Sequence, residues 1–115
     1  MNATVRKATP DDLNMLIKFT YEEAKEAEGI EMMPSTLEKG IKAALEDSSK
    51  SIYWVIVDDN STPFGNISAI KEWSDWHAEY YWWVQSMYIS PKHRGKGYIK
   101  LLLDVVQEEM KTHWN

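Results

Sequence analysis

The chain has 115 residues, 43% of them hydrophobic and 27% charged, and it contains no cysteine. This length and composition predict a single globular domain spanning residues 1–115. They exclude a disordered chain, a disulfide scaffold, a thiolate nucleophile and a cysteine-based zinc site. The formal net charge of −5 argues against a nucleic-acid-binding protein. No segment is apolar enough for a membrane span or a secretory signal, so we expect a cytoplasmic protein with no membrane partner.

The first half of the chain is predicted to form one short strand and two helices. The strand is expected at residues 5–8. Thr9 suits an N-cap and Pro10 the first helical position, so a helix should begin there and end near Gly29. The segment Ser35–Glu38 has the pattern of a capping box, which predicts the start of a second helix.

The second half is predicted to form three strands and a final helix. The β-branched and aromatic run Ser51–Asp58 indicates a buried strand. Turn residues at 58–63 separate it from an antiparallel strand, Phe64–Trp73. A long strand, Glu79–Ile89, precedes a helix from Gly97 to about Thr112. The predicted order is therefore β-α-α-β-β-β-α, an α/β pattern of the α+β kind.

Strand alternation predicts two faces for the long strand. One face would carry Tyr81, Trp83, Gln85 and Met87. The other would carry Tyr80, Trp82, Val84, Ser86 and Tyr88. Which face meets a substrate stays open at this point.

The segment that joins this strand to the last helix predicts a phosphate or pyrophosphate site. No acidic residue occurs between Tyr80 and Leu103, although the chain is acidic elsewhere. Gly95 and Gly97 allow a tight turn that brings backbone N–H groups close to a ligand. The following helix directs its positive N-terminus at the same place. A solvated basic turn is the alternative interpretation. The segment is not a P-loop, and Lys100 stands where a dinucleotide motif has its third glycine.

The stretch Ile89-Ser90-Pro91-Lys92-His93-Arg94-Gly95-Lys96-Gly97 resembles motif A of the Gcn5-related N-acetyltransferase (GNAT) superfamily. The superfamily pattern Gln/Arg-x-x-Gly-x-Gly/Ala falls on Arg94–Ile99, with Ile99 standing where Gly or Ala is usual. The order of elements is similar as well, and the most specific part of the resemblance is Trp73–Leu103. The resemblance implies a mostly antiparallel sheet with helices on both faces.

The resemblance further implies that the protein transfers an acetyl group from acetyl-CoA to a primary amine of unknown identity. The pyrophosphate would lie on the backbone N–H groups of Arg94–Ile99, and the pantetheine arm would pair with Met87–Ile89 like an added strand. The cofactor-binding residues would be Met87, Tyr88, Ile89, Arg94, Gly95, Lys96, Gly97, Tyr98, Ile99 and Lys100.

Proton transfer in such a reaction needs a base for the amine and an acid for the leaving thiolate. Candidate bases are Glu72, Asp75 and Glu79, and candidate acids are Tyr88 and Tyr98. The acidic stretch at residues 22–31 would attract a cationic amine, or it is simply the solvated face of a helix. No metal site is expected, because His77, His93 and His113 lack the spacing of metal ligands.

Members of the superfamily continue after this helix with a fifth strand, a fourth helix and two further strands, which are not expected here. The strand Glu79–Ile89 should then lie at an open sheet edge, and a homodimer that pairs two such strands would cover it. Three interpretations stay open. The protein is an acetyltransferase completed by a partner protomer, a truncated non-catalytic relative that binds CoA or acts as a dimeric interaction module, or an unrelated interaction module.

Overall fold

The computed structural model describes residues 2–112, which form one antiparallel sheet with helices on both faces. The sheet has the strand order β1-β2-β3-β4, with β1 at Thr4–Lys7, β2 at Ile52–Val57, β3 at Pro63–Ser74 and β4 at Glu79–Ile89. The helices are α1 at Leu13–Glu28, α2 at Pro34–Glu46 and α3 at Tyr98–Thr112. Short 3-10 turns occur at Pro10–Asp12 and Pro91–His93. The predicted element order and α+β class are confirmed.

Side-chain alternation in β2 explains why the helices divide between the two faces of the sheet. Trp54 points to one face and packs in a cluster with Leu102 of α3. Its neighbour Val55 points to the other face and packs with Leu16 of α1 and Ile41 of α2. Because both faces of the strand are covered, β2 is the buried centre of the molecule.

The start of α1 is anchored to β1 through Asp12, which is 5% exposed. The guanidinium of Arg6 donates two hydrogen bonds to the Asp12 carboxylate, at 2.8 and 3.0 Å, and the backbone N–H of Thr9 donates a third at 2.7 Å. At the other end, Gly29 adopts the left-handed conformation with φ of 67° and ends the helix. Both predicted limits of this helical region are confirmed.

The predicted capping box at Ser35–Glu38 is wrong. The helix α2 begins at Pro34, and Met33 is its N-cap. The carbonyl of Met33 accepts hydrogen bonds from the N–H groups of Thr36 and Leu37, at 3.0 and 3.1 Å. Proline suits the first helical position because it has no N–H to satisfy and its φ is already helical, so the helix begins before the Ser/Thr pair.

The regular alternation predicted for β4 is interrupted by a β-bulge. In β3, Ser68 pairs with Ser86 and the next residue, Ala69, pairs with Val84, which leaves Gln85 as the extra residue. Consecutive residues of β3 point to opposite faces, so their partners Ser86 and Val84 do too. The prediction that these two share one face is therefore wrong.

Beyond the bulge, the last residues of β4 are reversed relative to the prediction. Tyr88 faces α1, where its ring stacks on Phe19 with 5.5 Å between the ring centroids. Met87 and Ile89 face the α3 side and join its apolar cluster. Alternation alone could not predict this reversal, because a bulge depends on the pairing with the neighbouring strand.

Candidate active site at the end of β4

A cavity of about 620 Å³ lies where the end of β4, the loop before α3 and the second half of α1 meet. Of the residues predicted to bind a cofactor, all except Lys96 and Lys100 line this cavity. The helix α1 contributes Glu23, Glu26 and Ala27, and the 3-10 turn contributes His93. The fold thus brings a basic loop, a strand end and helical carboxylates to one place.

The glycine turn before α3 has the backbone shape that the sequence predicts. Gly95 and Gly97 both lie in the left-handed region, with φ of 77° and 81°. Other residues adopt this conformation at a cost, which explains glycine at both positions. The helix α3 begins at Tyr98, directly after the turn. The first N–H groups of a helix have no partner within it, so backbone donors border the cavity at this end.

The loop is held in place by aromatic contacts on the α3 side. The ring of His93 stacks on buried Phe64, with 4.1 Å between the centroids, and Nδ1 of His93 lies 2.7 Å from Oγ of Ser90. The ring of Tyr98 meets Phe64 edge to face at 5.1 Å. These contacts fix the turn before any ligand arrives, which reduces the ordering cost of binding.

Arg94 connects the loop to both β4 and α1. Its Nε donates to the carbonyl of Ile89 at 2.8 Å, and its Nη2 donates to Glu26 at 2.7 Å. The guanidinium also lies over the ring of Tyr88, 5.3 Å from its centroid. One side chain therefore contacts three walls of the cavity.

Glu23 of α1 contacts the backbone at the end of β4 directly. The backbone N–H of Met87 donates a hydrogen bond to Oε2 of Glu23 at 3.0 Å. Burial raises the pKa of the Glu23 carboxyl, and the hydrogen bond from Met87 opposes this shift. The sequence places Glu23 only within an acidic stretch. Its i,i+4 spacing from Phe19, which is 2% exposed, is the signal that it faces inward.

The model of the acetyltransferase (GNAT) family matches residues 13–115 of the sequence. The chain belongs to the GNAT acetyltransferase family. No curated protein matches the sequence significantly.

Several solved structures share this GNAT fold. A "possible acetyltransferase" from Clostridium difficile 630 is 35% identical, with a TM-score of 0.88, over 94% of this chain and 70% of that one. A GNAT family acetyltransferase from Staphylococcus aureus is 19% identical, with a TM-score of 0.77, over 97% of this chain and 80% of that one. A "predicted acetyltransferase with acetyl-CoA" from Clostridium acetobutylicum is 19% identical, with a TM-score of 0.77, over 96% and 75% of the two chains.

Both candidate acids of this GNAT chain border the cavity. Tyr88 is 7% exposed, and burial followed by the negative charge of Glu26 raises the pKa of its hydroxyl. The phenol therefore stays protonated at neutral pH. Tyr98 is half-buried at the first position of α3. Their roles as proton donors stay predictions.

The three candidate bases lie at the opposite end of the β3–β4 hairpin. Glu72 is on β3, where it accepts a hydrogen bond from Nε1 of Trp83 at 3.2 Å. Asp75 lies in the turn and Glu79 opens β4. None of the three lines the cavity, and Glu79 is separated from Met87 by roughly 26 Å of strand. The carboxylates that the fold brings to the cavity are Glu23 and Glu26.

A second cavity, of about 520 Å³, lies on the other side of Glu23, between α1, α2 and the β4 bulge. Glu23 and Ala27 line both cavities.

Within residues 2–112, no group of three or more His, Asp or Glu is arranged to hold a metal ion. His113 lies outside the described residues. In the same range, no helix is long and apolar enough to cross a membrane.

Proposed function

We propose that the protein transfers an acetyl group from acetyl-CoA to a primary amine. The main support is the cavity of about 620 Å³ that joins the left-handed Gly95–Gly97 turn to the edge of β4 at Met87. Backbone N–H groups that can bind phosphate lie at one end of the cavity, and a strand edge lies at the other. This arrangement suits a long ligand with a pyrophosphate and an amide-containing arm. The Clostridium acetobutylicum neighbour, described with acetyl-CoA, supports the choice of cofactor.

The residues present fit such a ligand. The backbone N–H groups of Gly95–Ile99 would hold the pyrophosphate, with Lys96 and Lys100 exposed nearby. The N–H of Met87 and the carbonyl of Ile89 would pair with the arm. Both groups now bond to side chains, those of Glu23 and Arg94. We propose that rotation of these two side chains frees both backbone groups for the ligand.

The reaction forms a C–N bond to the acetyl carbon and breaks its C–S bond. Two protons leave an ammonium nitrogen, one reaches the thiolate sulfur, and one is released to solvent. When bound, acetyl-CoA supplies the activated thioester. Glu23 is the proposed proton acceptor, in preference to Glu72, Asp75 and Glu79 at the far end of the hairpin. Tyr88 and Tyr98 are the proposed donors to sulfur.

Calorimetric titration with acetyl-CoA tests the cofactor site. We expect saturable binding to the wild type and at least a tenfold weaker affinity for Arg94→Ala, because the variant loses a cation that lines the cavity beside the glycine turn and the contact of the loop with Glu26. Lys92→Ala is the matched control, since it removes a cation of the same loop that does not line the cavity. Absence of binding at millimolar acetyl-CoA, or equal weakening in both variants, contradicts the proposal.

Exposed apolar residues on β4 favour a second function, self-association. Trp83 is 54% exposed and Val84 46% exposed on a strand at the sheet edge. No acidic residue lies between Tyr80 and Ile89, so two copies of this edge would pair without charge repulsion. We therefore propose a homodimer through the strand Glu79–Ile89 in which the two copies pair before the bulge, so that Met87–Ile89 stay available to the cofactor. We also propose that the protein acts in the cytoplasm, because acetyl-CoA is an intracellular metabolite.

Sedimentation velocity tests the homodimer. Val84→Lys places a charge on the proposed contact and should shift the protein to monomer. Leu103→Lys adds the same charge at an exposed apolar position of α3 and should leave the dimer unchanged. A monomeric wild type, or equal dissociation of both variants, would rule out pairing through β4.

A further inference from the structure

The second cavity has one polar wall and one apolar wall. Tyr53, Gln85 and Ser86 of the sheet line one side, and α1 contributes Thr20 and Glu23. The opposite wall is formed by apolar residues of α2, which are Leu37, Ile41 and Ala44. An occupant must therefore present hydrogen-bonding groups to the sheet and a hydrocarbon surface to α2.

A row of hydroxyl groups lies under the polar wall, where a sheet of this size normally buries apolar side chains. Oγ of Ser86 lies 2.6 Å from Oγ of Ser68, and the side-chain amide of Asn66 donates to Ser86 at 3.3 Å. Ser68 and Asn66 are fully buried. Tyr53 of β2 is the cross-strand neighbour of Ser68, and burial raises the pKa of its hydroxyl.

Two buried polar atoms, one in this network and one on α1, have no partner among the described residues. Oγ1 of Thr20 and Oδ1 of Asn66 are buried without a hydrogen bond from any of the described residues. Unpaired buried polar atoms are costly and are rarely retained without a reason. Thr20 lines the second cavity and lies on α1 one turn before Glu23. A hydroxyl group in this cavity would give Thr20 its missing partner.

We propose that the second cavity binds the acceptor as a small primary amine that carries a hydroxyl group. Its ammonium lies against Glu23, its hydroxyl lies against Thr20 and Ser86, and its hydrocarbon part lies against α2. This inference rests on the proposed acetyl transfer. Because Glu23 lines both cavities, the ammonium is held where the acceptor meets the end of β4 that would bind the acetyl thioester.

The charges around this cavity agree with a cationic acceptor. Glu28 also lines it, so α1 contributes two carboxylates. Lys50 is the positively charged residue that lines this cavity. Its Nζ lies 3.3 Å from the Asp47 carboxylate, with which it forms an ion pair. Burial raises the pKa of Glu23, which brings its proton affinity closer to that of the amine that it would deprotonate.

Two matched probes, 3-amino-1-propanol and propylamine, test the acceptor class. Release of the CoA thiol is measured directly, because the chain has no cysteine to react with the reagent. The wild type should show at least a tenfold higher kcat/KM for the amino alcohol. Thr20→Val should remove this preference, whereas Thr62→Val, on the β2–β3 turn, should retain it.

Binding of the amino alcohol without acetyl-CoA gives a readout that is independent of turnover. Added 3-amino-1-propanol should shift the backbone amide resonances of Gln85 and Ser86. These shifts should be lost in Glu23→Gln, whose kcat/KM should also fall about a hundredfold while acetyl-CoA still binds.

The outcomes separate this inference from the proposed function. If acetyl-CoA binds but the two amines react equally, or neither reacts, the acceptor assignment is overturned and the cofactor site stands. If acetyl-CoA does not bind, acetyl transfer and the inference that rests on it both fail.

Discussion

Gly65 of β3 pairs with Ile89 at the end of β4, beside the cavity. A Cβ atom at this position would lie 2.4 Å from the carbonyl oxygen of Tyr88 and 2.8 Å from Cδ1 of Ile89. The first of these neighbours is backbone and cannot move aside without displacing the strand. The position of the end of β4, which forms one wall of the cavity, therefore requires glycine at position 65.

Gly65→Ala should lower the free energy of unfolding by about 1–3 kcal/mol, because the added methyl group overpacks a closed site. It should also weaken acetyl-CoA binding, since Tyr88 and Ile89 must shift. The matched control is Gly40→Ala, on an exposed position of α2 where an added Cβ meets nothing within 4 Å. That variant should gain about 0.8–1.0 kcal/mol from helix propensity. Urea unfolding measures both, and the reverse order of stability would contradict this account.

The residues of the site differ in how readily the sequence reveals them. Arg94, Gly95 and Gly97 lie within four consecutive positions, so their spacing is enough to predict the tight turn that the structure shows. The contact of Glu23 with Met87 joins residues that are 64 positions apart. No local pattern encodes such a contact, and only the packing of α1 against β4 creates it.

The attachment of α1 to β1 depends on one carboxylate, that of Asp12. Burial raises the pKa of this carboxyl, but the hydrogen bonds from Arg6 and Thr9 outweigh burial and hold the pKa below its usual value. A lowered pKa means that the folded state favours the charged carboxylate. Its contribution to stability is therefore present above the pKa of the unfolded chain, about 3.9, and is lost as the pH falls through the folded-state value.

Asp12→Ala should lower the free energy of unfolding at pH 7 by about 1–2 kcal/mol, because it removes a helix cap and leaves Arg6 without its partner. Asp11→Ala, at the neighbouring exposed position, should change it by less than about 0.5 kcal/mol. The difference between Asp12→Ala and the wild type should shrink as the pH falls below 4. Thermal unfolding across pH 3–7 measures it, and a difference that does not vary with pH would refute the role of the charge.

The elements show why fold prediction succeeded for this chain and where it failed. β2 carries a β-branched and aromatic run, α1 is preceded by a capping signal and ends at a glycine, and both elements agree with their predictions to within a few residues. The bulge at Gln85 and the start of α2 at Pro34 were not predicted. The bulge follows from cross-strand pairing, whereas the plausible capping box directly after Pro34 indicates a later start for α2.

The whole molecule places two cavities on either side of one carboxylate. The sheet positions the end of β4 between α1 and α3, and α1 brings Glu23 to the boundary. This arrangement suits a reaction in which two substrates meet at one point. The family assignment came from the residues of the basic turn, whereas the two-cavity arrangement required the packing of α1 and α2 over the sheet.

The most direct test of the account is the change in backbone amide resonances when acetyl-CoA is added to the ¹⁵N-labelled protein. We predict that the largest shifts occur at Gly95, Gly97 and Ile99, where the pyrophosphate would lie, and at Met87, whose N–H would exchange Glu23 for the ligand. Shifts confined to the first half of β4, or no shifts at millimolar acetyl-CoA, would contradict the proposal that this cavity is the cofactor site.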